Sequence, residues 1–250
     1  MKPAAFGYRA PAEVEEAVRC LADEPDAKVL AGGQSLMPLL NFRLARPGFL
    51  VDINRLPLDY VAERDGGIAI GALARQSAVE TSPVVRKACP LLADALRLVA
   101  HPVIRNRGTV VGSVVHADPA AELPAVMLVL DGRLTVTSAA RGVRTIAADQ
   151  LFEGPLQSAL EPDELALEAW FPAFTGTVAI AEEARRHGDF ALAGAVRAGD
   201  RLALFGVAPT PVLVDPAAPT QGLRPSSDLE ASSAFRLHLV NVLTAQVLAL

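Results

Sequence analysis

Apolar positions along the first sixty residues follow two rhythms. In "PAEVEEAVRCLAD", Val14, Ala17, Val18 and Leu21 fall at helical spacing with acids in the first turn, which predicts an amphipathic helix that Pro11 is suited to start. Short runs flank it: "FGYRA" and "KVLA" (Lys28–Ala31) predict strands, "SLMPLLNFRLA" a short helix and "GFLVDI" a buried strand. "GGIAIGALA" predicts the next strand, followed by three helical pieces broken at Pro83 and Pro90: "RQSAVET", "VVRKA" and "LLADALRLVA". "RNRGTVVGSVVHADPAAE" reads as a glycine-rich loop, "LPAVMLVLD" as an apolar helix starting near Pro119, and "RLTVTSA", "GVRTIAA" and "LALEAWF" as strands. Beyond residue 172 the pattern predicts strands near 177–184 and 201–207, a Pro- and Ser-rich loop in "VDPAAPTQGLRPSSDLE", and a closing helix. Strands and helices mix without strict βαβ alternation, so the expected class is α+β, divided at 1–58, 59–172 and 173–250.

Composition narrows the function. With 250 residues, 51% hydrophobic and 20% charged, the chain can bury a sizeable core. A net charge of −5 without a basic stripe argues against nucleic acid as a partner. No apolar run reaches the length of a membrane span, and the first residues lack the apolar core of a signal peptide, so the expected location is cytoplasmic. Cys20 and Cys89 are the only cysteines and form no C-x-x-C, so neither a disulfide framework nor a cysteine-held metal is expected; both read as buried thiols. His116 and Asp118 stand at H-x-D spacing without a third ligand nearby, so no metal site is expected. Trp170, the only tryptophan, is assigned to the core.

The spacings G-x-G-x-x-G, G-x-x-x-x-G-K-[ST] and G-x-S-x-G do not occur. A diphosphate can still be held by consecutive backbone N–H groups with no Cβ in the way, beside a hydroxyl and a helix start. "VLAGGQSL", residues 29–36, offers those parts; its other reading is a plain strand-to-helix turn capped by Ser35. "RNRGTVVGSV", residues 105–114, offers them again in Gly108, Thr109, Gly112 and Ser113. Arg105 and Arg107 just upstream read either as anion partners or as surface ion pairs. Asp118 and Glu122 either receive hydrogen bonds from a ligand's hydroxyls or cap the following helix. In "EEARRHGDFAL" the basic cluster reads as a solvated face.

Taken together, "AGGQSLMPLL", "IRNRGTVVGSVVHADPAAELPA", "DELALEAWFP" and "RRHGDFALAGA" resemble the FAD-binding medium subunit of the molybdenum hydroxylases, over residues 3 to about 207. The resemblance implies an FAD-binding fold of the vanillyl-alcohol-oxidase type: two α+β subdomains and a smaller C-terminal α+β domain. It implies that Val29, Leu30, Ala31, Gly32, Gly33, Gln34, Ser35 and Leu36 wrap the FAD diphosphate, and that Thr109, Val110, Val111, Gly112 and Ser113 form a second cradle. Asp118 and Glu122 fall where the family touches the ribityl or diphosphate end, and Asp189 near the flavin side. The implied partners are a small subunit with 2Fe-2S clusters and a large molybdopterin subunit, in a heterotrimer or its dimer. The implied activity is electron transfer from clusters through FAD to an external acceptor while a small molecule is hydroxylated; no catalytic or metal-ligating residue is expected on this chain. Two departures stand out. The family has T-x-G-G-S in the second loop, where this chain has Val111 in place of the first of those two glycines. Either Val111 takes an ordinary conformation with the loop shifted, or FAD is held loosely. The C-terminal domain is also short, with Pro216–Leu229 as a brief linker, which keeps open a degenerate assembly subunit as the alternative.

Overall fold

The computed structural model describes all 250 residues. Its first unit is a three-stranded parallel sheet in the order β1-β3-β2, built from β1 (Gly7–Arg9), α1 (Val14–Asp23), β2 (Ala27–Leu30), α2 (Leu36–Asn41) and β3 (Phe49–Asp52). Helix α1 buries Ala17, Val18, Cys20 and Leu21, and Glu15 and Glu16 in its first turn oppose the positive end of its dipole. It starts at Val14 after Glu13, so Pro11 lies outside the helix it was expected to begin.

The second unit follows as β4 (Val61–Arg64), β5 (Gly67–Gly71), then six helices: α3 (Gln76–Thr81), α4 (Pro83–Ala88), α5 (Pro90–Leu98), α6 (Pro102–Arg105), α7 (Val110–His116) and α8 (Glu122–Val129). The chain returns through β6 (Arg133–Ser138), β7 (Gly142–Ala147), a small hairpin of β8 (Phe152–Gly154) and β9 (Gln157–Ser158), and β10 (Leu165–Pro172). The resulting antiparallel sheet has the order β4-β5-β10-β6-β7. Prolines open α4, α5 and α6 where their missing N–H costs nothing. All eight residues of α8 are buried, as a helix apolar on every side requires. The stretch expected as one long glycine-rich loop, residues 105–122, instead contains the end of α6, the whole of α7 and the first residue of α8, with short loops between them. Val110, Val111 and Val114 share one buried face, and that packing outweighs the turn signal of Gly108 and Gly112.

The third unit is an antiparallel sheet, β11 (Val178–Glu183), β12 (Ala193–Ala198), β13 (Arg201–Phe205) and β14 (Val212–Val214), with α9 (Ser233–Leu248) across it. One hydrophobic core of 46 residues joins the first two units and takes in Val196, Ala198, Ala203 and Phe205 from the third sheet; a separate core of 13 lies between the third sheet and α9. Trp170 is half-buried rather than in the core. Its Nε1 donates to the Arg64 carbonyl at 2.9 Å and the Arg133 guanidinium covers its ring at 3.7 Å. Cys20 and Cys89 are buried free thiols, and burial pushes Cys89 up to about 11.

Candidate functional site

Strand β2 ends at Leu30 and the chain turns through Ala31–Ser35 into α2. Gly32 and Gly33 serve different needs there. A Cβ on Gly32 would collide with the Arg107 carbonyl oxygen and come within 2.9 Å of Gly108 Cα, so the two loops touch backbone to backbone. Gly33 has a φ of +73°, a left-handed conformation that costs a side-chain-bearing residue energy. The N–H groups of Gly32, Gly33, Gln34 and Ser35 donate to no acceptor in the protein. Consecutive unpaired amides of this kind make an anion-binding concavity. Ser35 does not cap α2: its backbone is already helical and its hydroxyl makes no capping bond.

In the second loop Thr109 precedes α7, and its Oγ1 accepts from the Gly112 amide at 3.1 Å. Val111 is the second residue of α7, 2% exposed, and has no positive φ. Val111 thus takes an ordinary helical conformation, and its side chain fills core rather than strained loop.

Between the loops opens a cleft of about 740 Å³. Val29, Ala31, Gly32, Gly33, Gln34, Ser35 and Leu36 line it from one side, and Thr109, Val111, Gly112, Ser113, Asp118 and Glu122 from the other. Leu30 faces an adjoining pocket of about 470 Å³ together with Asp52, Asn54 and Arg107. Val110 is fully buried and lines neither. Neither candidate acid caps α8, which starts at Glu122 after an uncapped Ala121. Asp118 instead accepts from the Ala120 amide at 2.9 Å and holds the turn ahead of the helix. Glu122 is 8% exposed; burial, with the nearby Asp118 charge adding, pushes its carboxyl up to about 7. Glu182 on β11 is pushed up to about 8 by burial and by Glu122, and its Oε2 is buried without a partner. Burial also lowers His116.

The arginines upstream of the second loop divide. Arg105 is buried in an ion pair with Glu80 at 2.8 Å and donates to the Val99 and Ala100 carbonyls, so it holds structure. Arg107 is exposed and borders the smaller pocket. In the basic cluster, Arg185 pairs with Glu230 at the surface at 3.0 Å, while Gly188, Asp189 and Phe190 reach the cleft. One lining residue had no signal in the sequence. Gln76, at the start of α3, is 4% exposed, and its Oε1 is buried without a partner beside Gly108. A lone glutamine in a helical pattern does not announce itself; only the packing of Gly108 against it does.

The fold is a mixed helix-and-strand module with a cleft bordered by two glycine-containing loops. Residues 4–174 match the family described as the FAD binding domain in molybdopterin dehydrogenase, and the chain belongs to that family. It is 48% identical over 199 residues to the 6-hydroxypseudooxynicotine dehydrogenase complex subunit alpha of Paenarthrobacter nicotinovorans, covering 78% of this chain and 67% of the relative. It is 39% identical over 223 residues to the carbon monoxide dehydrogenase medium chain of Hydrogenophaga pseudoflava, covering 84% and 77%. Among solved structures it is similar to a chain of quinoline 2-oxidoreductase from Pseudomonas putida 86, with a TM-score of 0.93, 35% identity and coverage of 100% and 97%.

Proposed function

We propose that this chain is the FAD-carrying medium subunit of a heterotrimeric molybdenum hydroxylase, and that the cleft between residues 29–36 and 109–113 holds the cofactor. The observation that carries this reading is the run of four unpaired amides, Gly32 to Ser35, in a loop that lines the cleft and touches the second glycine loop at Gly108. These residues fit a diphosphate: the amides donate to its oxygens, and the Ser35 and Ser113 hydroxyls add donors. The orphaned Gln76 and Glu122, whose carboxyl burial pushes up to about 7, suit the hydroxyls of a ribityl or ribose chain, since the carboxyl accepts when ionised and both donates and accepts when neutral. Asp118 and Asp189 border the same cleft.

When bound, FAD supplies a centre that accepts electrons from iron–sulfur clusters and returns them to an external acceptor. Clusters and molybdopterin belong on the small and large partner subunits, as expected for a chain with two buried cysteines. The finer layout we favour is of the vanillyl-alcohol-oxidase type: an N-terminal subdomain (1–58), a middle subdomain (59–172) and a C-terminal domain (173–250). The separate sheets support this division. No helix is long and apolar enough to cross a membrane, and a cytoplasmic location belongs to the same reading. The alternative of a degenerate assembly subunit lost its first motive when Val111 proved to be helical.

The test is spectroscopic. The purified chain is expected to carry, or to take up, non-covalent FAD whose visible absorbance dithionite bleaches. A colourless chain in which added FAD moves neither the absorbance nor the melting temperature overturns the proposal.

A further inference from the structure

One arginine connects the backs of both loops. Arg75, the residue before α3, donates from Nη1 to the Arg107 carbonyl at 2.7 Å and from Nη2 to Asn54 Oδ1 at 2.7 Å. Asn54 passes the connection on, its Nδ2 donating to the Ala31 carbonyl at 2.9 Å and to Asp52 Oδ1 at 2.6 Å. Asp52 is fixed in turn by the Tyr8 hydroxyl at 2.6 Å. The chain of bonds therefore runs from Ala31 through Asn54 and Arg75 to Arg107. Those two end residues directly precede Gly32 and Gly108, the pair whose backbones touch.

The charges around Arg75 make this an unusual use of a guanidinium. Burial lowers its pKa, and Arg107 lowers it further; Asp59 and Asp52 oppose that shift without pairing with it. Asp52 is committed to Tyr8 and Asn54. Arg75 thus spends its planar fork on two neutral oxygens in different loops, a geometry that the point charge of a lysine cannot copy.

We propose that Arg75 is a positioning residue for the cofactor: with Asn54 it fixes the spacing of the two glycine loops, so that affinity for a flavin dinucleotide depends on it through the loop backbones. The proposal rests on the assignment of the cleft to FAD. It adds a residue outside both motifs and gives the pocket beside Leu30 a role as the seat of the clamp.

The experiment uses the full chain with FAD removed, as wild type, Arg75→Met, Arg75→Lys, Asn54→Ala and the double variant Arg75→Met/Asn54→Ala. FAD dissociation constants and off-rates are measured together with the melting midpoint and hydrogen exchange of the FAD-free forms. Arg75→Met and Asn54→Ala are each expected to weaken FAD roughly tenfold or more, mainly through faster release. The double variant should be no weaker than the worse single one, because both break the same chain of bonds. Arg75→Lys should not restore affinity, and the FAD-free midpoints should stay within a few degrees of wild type. Exchange in segments 28–40 and 102–112 should quicken together in Arg75→Met. Wild-type affinity in Arg75→Lys or Asn54→Ala, or losses that multiply in the double variant, would overturn the clamp. So would an FAD-free midpoint that falls in step with affinity, which marks a merely structural residue. If wild type takes up no FAD, the assignment of the cleft fails; unchanged exchange in both segments then overturns the clamp independently of the cofactor.

Discussion

At the scale of single residues, Gly32 and Gly33 are both required because one answers to a neighbour and the other to its own backbone. Gly32→Ala sets a Cβ against backbone atoms of Arg107 and Gly108, which have no side-chain freedom with which to yield. It is expected to abolish measurable FAD binding, whereas Gly33→Ala pays a left-handed backbone cost of about 1–2 kcal/mol, read as a lower melting midpoint. The double glycine was legible in the sequence, but the division of labour was not, because Gly108 lies 76 positions away. Val111 teaches the converse. A comparison of motif letters marks it as a defect, yet its side chain is core. Val111→Gly is therefore expected to destabilise the chain by about 2–4 kcal/mol in denaturant unfolding, from lost burial and helix propensity, without tightening FAD. Glu122 and Glu182 set a pH dependence. Their folded pKa values, about 7 and about 8, lie above the ordinary 4.5 of an unfolded chain. Between pH 4.5 and 8 the folded state holds more protons, so these groups make stability fall as pH rises through that window. Melting midpoints measured from pH 5 to 8 should fall, and Glu122→Gln should flatten the lower part of the slope.

Among elements, legibility followed the strength of local signals. The three helices between Gln76 and Leu98 were readable because Pro83 and Pro90 start α4 and α5 and set the breaks between the pieces, β6 and β7 because β-branched residues alternate along them, and β10 because its apolar run is long. Helix α7 was hidden by Gly108 ahead of it and Gly112 within it, and β12 by a sequence of small residues, "AGAVRA", which carries little strand signature until its neighbours bury it. The seven residues of α7 also depend on their cap. Thr109→Ala removes the only side-chain bond at its start and is expected to cost about 1 kcal/mol, with a measurable rise in the FAD dissociation constant because Ser113 and Val111 sit on that helix. Arg105 holds the preceding turn from inside. Arg105→Met leaves Glu80 without its partner in a largely buried place, and a loss of about 3–5 kcal/mol is expected by chemical denaturation. Motif spelling could not tell Arg105 from Arg107; their burial does.

For the whole molecule, the fully buried helix α8 joins what the three sheets divide. Its Leu128 carbonyl accepts from Arg201 of β13 at 3.0 Å, and the Gly206 amide donates to the Pro119 carbonyl just ahead of it at 2.7 Å. The third unit therefore grips the segment that carries Asp118 and Glu122, and its loop at Gly188–Phe190 reaches the far end of the cleft. The central claim is that backbone amides recognise a diphosphate, and equilibrium titration of the FAD-free chain with FAD, FMN and riboflavin addresses it directly. One FAD per chain should bind about 100-fold or more tightly than riboflavin, since only FAD carries the group that several charge-assisted bonds are placed to hold. Riboflavin binding as tightly as FAD would contradict it.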